Sequence, residues 1–236
     1  MDEPAEWPLP DETIAQFVAR CPPLVNDNDD DDRNPAWYWV QSPTRSSRTD
    51  SLKDVAVFKQ QATALLDAFQ TELVQKKSPY FREGLRKKLK GDIAHLAKGL
   101  NVTSGKASWM LFPAPDKVNE TWRVIAEAVK DTRLPVAAKV PNFYEEGNHP
   151  GTRVICVYTR DFTDEEDVKQ ALLELVKLGV VTQDMPKPAK YKYDAFTHLK
   201  LYRGSYAEYG LKPSIYDSHE MLGWSVRHDK SKRVGG

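Results

Sequence analysis

Basic and aromatic side chains alternate through the C-terminal part of this sequence, and that mixture has a chemical use. Phe196, His198, Lys200 and Tyr202 share one parity in residues 195–202. On a strand they would lie on one face, with Ala195, Thr197, Leu199 and Leu201 turned to the core. Lys139 sits at an alternating position of an earlier apolar run, Arg153 opens another, and Lys190, Lys192 and Arg203 flank the first. Tyr206, Tyr209, Lys212 and Tyr216 follow in a Gly/Tyr/Pro-containing loop. Cations interleaved with rings suit phosphates and stacked bases, each stack contributing about 1–3 kcal/mol. RNA or a nucleotide is therefore the expected ligand.

An enzyme on a nucleotide or RNA phosphate is a further reading. His198 would be its acid or base, and Arg153, Lys192 or Arg203 would steady charge. No nucleophile or metal set accompanies them. Gly105-Lys106 lacks the upstream glycine of a phosphate-binding loop, and no dinucleotide fingerprint or Gly-x-Ser-x-Gly elbow occurs. Two distant cysteines and five histidines without an i, i+4 pair do not suit zinc. Asp164-Glu165-Glu166-Asp167 falls in a first helical turn, where the macrodipole favours negative charge, so a structural role is expected for it. No catalytic residue, metal or cofactor is assigned.

Bulk charge carries no argument, because 34 basic and 34 acidic residues cancel. Cys21 and Cys156 are too few for a disulfide scaffold, and no apolar leader or membrane-length apolar segment is read. The expectation is an intracellular protein, cytoplasmic, with the nucleus as an alternative, and with no membrane contact.

Other segments must position these groups. Residues 1–33 read as a Pro-rich, acidic, largely flexible tail ending in Asn26-Asp27-Asn28-Asp29-Asp30-Asp31-Asp32, with a short helix over 11–20 docking through Ile14, Phe17 and Val18. Trp37-Tyr38-Trp39-Val40 reads as a strand with both tryptophans on one face. A helix from about 51 carries the stripe Val55, Phe58, Ala62, Leu65, Leu66, Phe69 and Leu73. A second, over 79–100, buries Phe81, Leu85, Leu89, Ile93, Leu96 and Leu100. Residues 76–106 hold nine basic residues against Glu83 and Asp92. Next come a strand at 109–112, a helix over 117–130 with Val118, Trp122, Ile125, Ala126 and Val129 inward, and strands at 136–140 and 153–159. A helix capped by Thr163 and Glu166 then runs to Gly179. Half-polar strands favour an α+β fold with a mainly antiparallel sheet and helices packed on one face. One domain over 34–226 is expected, followed by a flexible basic tail over 227–236.

Gly105-Lys106-Ala107-Ser108-Trp109, the helix with Trp122, the strand with Lys139, and Ile155-Cys156-Val157-Tyr158-Thr159 come in an order that resembles the cap-binding translation initiation factor 4E family. Trp109-Met110-Leu111-Phe112, Arg153-Val154-Ile155-Cys156-Val157-Tyr158-Thr159, Tyr191-Lys192-Tyr193-Asp194-Ala195-Phe196-Thr197 and Lys212-Pro213-Ser214-Ile215-Tyr216 are more similar still to the eukaryotic basophilic-leukaemia-expressed protein family. That resemblance spans roughly residues 35–216 and carries no assigned activity with it. It implies a curved sheet with helices on its convex face and a ligand on its concave face. Lys139 falls near a phosphate-contacting arginine of the initiation factor. Trp109 and Trp122 match that factor's structural tryptophans, not its base-stacking pair, and are expected in the core.

The leading expectation is thus a nucleotide- or RNA-binding module using Lys139, Arg153, Lys192, Phe196, His198, Lys200, Tyr202, Arg203, Tyr209 and Lys212. The alternative is a protein-interaction module, with the acidic run 26–32 and the basic helix 80–98 as contact surfaces and a protein as partner. The sequence does not set the oligomeric state.

Overall fold

The computed structural model describes residues 5–23, 37–44, 52–75, 78–100, 107–142, 153–185, 187–193, 196, 199, 201, 209, 211 and 214–224. The fold is α+β, with six helices among these residues and one open seven-stranded sheet. Its strands are β1 (Ala5–Glu6), β2 (Trp37–Gln41), β3 (Ala107–Leu111), β4 (Ala137–Pro141), β5 (Ile155–Tyr158), β6 (Lys190–Tyr193) and β7 (Tyr216–Asp217). They lie in the order β1-β2-β4-β5-β3-β6-β7. Every pairing is antiparallel except β1 with β2.

Alternation decides which side chains enter the core. Tyr38 and Val40, Ala138 and Val140, Ile155 and Val157, Trp109 and Leu111, and Tyr191 and Tyr193 all join one buried cluster with the helices. Trp109 and Trp122 are both 0% exposed there. Helix α4 (Val118–Lys130) buries Val118, Trp122, Ile125, Ala126 and Val129, and packs on β2 and β4. Helices α2 (Leu52–Gln75) and α3 (Pro79–Gly99) form a hairpin, with Phe58, Ala62, Leu66, Phe69, Leu89, Ile93 and Ala97 buried. Phe81 departs from the expected stripe and stays open to solvent.

Helix α1 (Ile14–Arg20) is closed by a capping box between Thr13 and Gln16, and Ile14, Phe17 and Val18 are buried. Arg20 donates to Glu6 at 2.6 Å and to Glu12 at 2.8 Å, which ties β1 to α1. Residues 5–21 carry β1 and α1, and α1 docks through Ile14, Phe17 and Val18 as the sequence implies.

Helix α5 (Glu165–Lys177) starts one residue later than the sequence spacing implies. Asp164 is the cap, its side chain accepting from the N–H groups of Glu166 and Asp167. Thr163 turns back to Asp161 instead. The helix ends in a Schellman motif: Val180 N–H donates to Leu175 O and Gly179 N–H to Val176 O, with Gly179 at φ +70°. Helix α4 ends the same way, Arg133 N–H donating to Ala128 O and Thr132 N–H to Val129 O. There the left-handed position holds Thr132, at φ +62°.

Of the strand read at 195–202, only residues 196, 199 and 201 are described. The strand just before them is β6, where Lys-Tyr-Lys-Tyr alternates and Tyr191 and Tyr193 are buried. Phe196 lies in a helical conformation, and Leu201 N–H donates to Phe196 O at 2.9 Å. Phe196 and Leu201 both enter the core. A short helix, α6 (Ser218–Leu222), capped by Asp217, closes the described chain.

Candidate functional site

The sheet face turned away from the helices carries the second set of alternating side chains. Registers place Trp39, Lys139, Cys156, Met110, Lys190 and Asp217 in one row across six strands. The next row holds Gln41, Ala137, Tyr158, Ser108 and Lys192. Val136, Ala137, Cys156 and Tyr158 make a small apolar floor, joined by half-buried Trp39, Met110 and Val154.

Lys139 stands in an aromatic enclosure on this floor. Its ammonium lies 4.0 Å from the Trp37 ring centre, 5.1 Å from Trp39 and 5.9 Å from Tyr158. Each separation is within the range in which a ring quadrupole attracts a cation. Trp37 and Trp39 reach it because β2 pairs directly with β4, setting Trp39 opposite Lys139. Trp39 is itself the middle of a stack. Trp7 lies on one side at 5.5 Å and 19°, and Tyr158 on the other at 5.5 Å and 15°. Trp7 comes from the residue after β1, so the two-residue strand places a ring over the site.

Such an arrangement presents a fixed positive charge among flat π surfaces. It can meet a phosphate through Lys139 and stack a planar ring on Trp37 or at the end of the Trp7–Trp39–Tyr158 stack. At the other end of the row Lys190 is ion-paired with Asp217. Burial alone would push the Asp217 carboxyl up. The Lys190 ammonium and the N–H groups of His219 and Glu220 outweigh it and hold the carboxyl below its ordinary range. Lys192 is half-buried in the adjacent row.

The residues expected from sequence divide sharply. Lys139 and Lys192 share the open face. Arg153 is buried, and Phe196 is only 2% exposed, its ring 5.1 Å from Tyr193 in the core. The Phe196 ring therefore lies in the core rather than on the open face. Tyr209 packs on Phe69 of α2, at 6.1 Å between ring centres, on the helical side. Tyr216 lies in β7 opposite Tyr191 and shares its face. His198, Lys200, Tyr202, Tyr206, Arg203 and Lys212 lie outside the described residues. Sequence reasoning missed Trp7, Trp37, Trp39 and Tyr158 as site residues. The signal was present in Trp37-Tyr38-Trp39-Val40: with Tyr38 and Val40 inward, both tryptophans face out.

Among the described residues no group of three or more His, Cys, Asp and Glu could hold a metal ion, and no helix is long and apolar enough to cross a membrane. Burial raises the Tyr38 hydroxyl to about 12 and pushes those of Tyr191 and Tyr193 up further, so these rings stay neutral parts of the core. Set against models of protein families, residues 2–200 match the one described as Basophilic leukemia-expressed protein Bles03.

Proposed function

This chain belongs to the basophilic leukemia-expressed protein Bles03 family, and we propose that it is a nucleotide- or RNA-binding module using the open face of its sheet. The observation that carries the reading is the Lys139 ammonium held 4.0 Å over Trp37, beside Trp39 and Tyr158. Sheet faces bearing aromatic rings serve RNA-binding folds as stacking platforms, and basic side chains beside them supply the phosphate contact. Lys139 and Lys190 stand three strands apart in one row, roughly 14 Å at the backbone. That span suits a strand of nucleotides laid across the sheet better than a single phosphate. The reading rests on this cluster and on the residues around it, not on likeness to initiation factor 4E.

The test is a fluorescence titration of the whole chain with a short oligouridine, mononucleotides and methylated cap analogues. Binding should quench tryptophan emission and weaken steeply as salt rises. Lys139→Ala and Trp37→Ala should each lower affinity about tenfold, the loss of roughly one stack or one charged contact. Affinity unchanged in both variants, with native circular dichroism, would refute the assignment.

A further inference from the structure

Lys139 is half-buried, yet among the described residues no carboxylate pairs with it. Its partners are the rings of Trp37, Trp39 and Tyr158. Several rings around one ammonium is the arrangement by which proteins hold quaternary ammonium ligands. Here the cation comes from the chain itself. Strand β4 sets Lys139 opposite Trp39 of β2 on one side and Cys156 of β5 on the other. The floor around it is apolar, made by Val136, Ala137, Cys156 and Tyr158.

These rings have little left to offer a second cation. Trp39 is covered by Trp7 on one face and by Tyr158 on the other. Tyr158 is only 2% exposed. The Trp37 ring already carries the ammonium at 4.0 Å. The charge of the face points the same way. Its two rows set Lys139, Lys190 and Lys192 against a single acid, Asp217, and Lys190 holds that acid.

We propose that Lys139 determines the specificity of the sheet site: by filling the Trp37–Trp39–Tyr158 enclosure with the chain's own charge, it admits an uncharged base bearing a phosphate and rejects a ligand ring that is itself cationic. The inference rests on the nucleotide-binding reading and narrows its ligand class. A purine alkylated at N7 carries a full positive charge, and the parent purine of nearly the same shape carries none. A vacant aromatic surface prefers the charged ring, because the ring quadrupole attracts it. Here Lys139 has taken that attraction, and a cationic ring beside it meets a like charge instead. At such range and a surface-like dielectric the repulsion lowers affinity about fivefold to tenfold. A vacant and a filled enclosure thus predict preferences of opposite sign.

The whole chain is titrated with guanosine monophosphate and with its N7-methyl derivative, in mildly acidic buffer that keeps the methylated ring charged. Both carry the same phosphate, so the ratio of affinities isolates the ring. The unmethylated nucleotide should bind about fivefold to tenfold tighter. Lys139→Met keeps an unbranched side chain among the rings and removes the charge. Both nucleotides should then bind more weakly, and the preference should vanish or reverse. A second arm needs no nucleotide. Saturation-transfer NMR on the methyl protons of tetramethylammonium should show contact with Lys139→Ala, where the enclosure is vacated, and none with the parent or with Lys139→Met. Circular dichroism establishes that each variant is folded. A parent that binds neither nucleotide overturns the functional reading and this inference with it. Equal affinity for the two nucleotides, tighter binding of the methylated one, or a preference unchanged in Lys139→Met overturns this inference alone. So does tetramethylammonium contact that the parent and Lys139→Ala show alike, or that neither shows.

Discussion

Trp109 and Trp122 are equally buried but differently served, and replacing each by phenylalanine separates packing from hydrogen bonding. Both rings are fully enclosed, so the lost apolar area and the residual void are comparable. The Trp109 indole N–H donates to Val168 O at 3.0 Å, fastening β3 to the first turn of α5. The Trp122 indole N–H is buried and has no partner among the described residues. Trp109→Phe therefore forfeits a buried bond, about 0.5–1.5 kcal/mol beyond the packing loss. Trp122→Phe removes an unpaired donor and recovers about 1–3 kcal/mol of desolvation. The difference between the two variants should be about 2–4 kcal/mol, with Trp109→Phe the less stable. For a chain of this length that is a gap of roughly 5–15 °C in thermal midpoint. Urea unfolding followed by far-ultraviolet circular dichroism avoids the change in emission that either substitution brings. An unchanged m-value would show that both variants unfold from the same compact state. A Trp122→Phe protein as unstable as Trp109→Phe, or less stable, would refute the reasoning.

Two further outcomes follow from the local geometry. Thr132→Gly should raise stability by about 0.5–1 kcal/mol, because relief of the left-handed backbone exceeds the entropy glycine adds to the unfolded chain. Gly179→Thr, at the same position of the same motif, should lower it by about 1 kcal/mol or more; thermal melts that show equal signs for the pair would contradict the account. Glu12 is held down from 4.5 to about 2, chiefly by the hydrogen bond from Arg20. Its contribution is present above pH 4.5 and is lost as pH falls towards 2, since the folded state binds the proton more weakly than the unfolded state does. Glu12→Gln should flatten the acid fall in urea midpoint across that window, and a fall identical to the parent's would remove Glu12 from the explanation.

The sequence and the structure agree best where a pattern is long. Helices α2, α4 and α5 repeat an apolar stripe over several turns, and a stripe of that length admits one period only. Strands β2, β4 and β5 were legible because tryptophan or branched residues alternate with polar ones between clear turns. At 195–202 eight residues with Phe196, Leu199 and Leu201 apolar are too few to fix a period, and Phe196 is helical and buried. The neighbouring Lys-Tyr-Lys-Tyr of β6 held the stronger alternation. The site divided for the same reason. Lys139 could be placed by parity on a sound strand, whereas Phe196 was turned outward by a parity that its burial contradicts. Trp7 was beyond reach, because a two-residue parallel strand leaves almost no periodic trace, and only the tertiary stack on Trp39 reveals it.

The strand order has a consequence for how the chain assembles. β3, α4, β4 and β5 are consecutive in sequence, and β4, β5 and β3 are adjacent in the sheet. The middle of the chain can therefore build the sheet's centre from nearby partners, at small loop-closure cost. β2 must find β4 across α2 and α3, and β6 and β7 add to the other side only after α5. β2, with β1 beside it, has no sheet partner in the centre until β4 follows about a hundred residues later. Growth then runs outward in both directions, and the Trp7–Trp39–Tyr158 stack joins the N-terminal strands to β5 at the centre. Amide exchange should show the same gradient, slowest in β5 and fastest in β1.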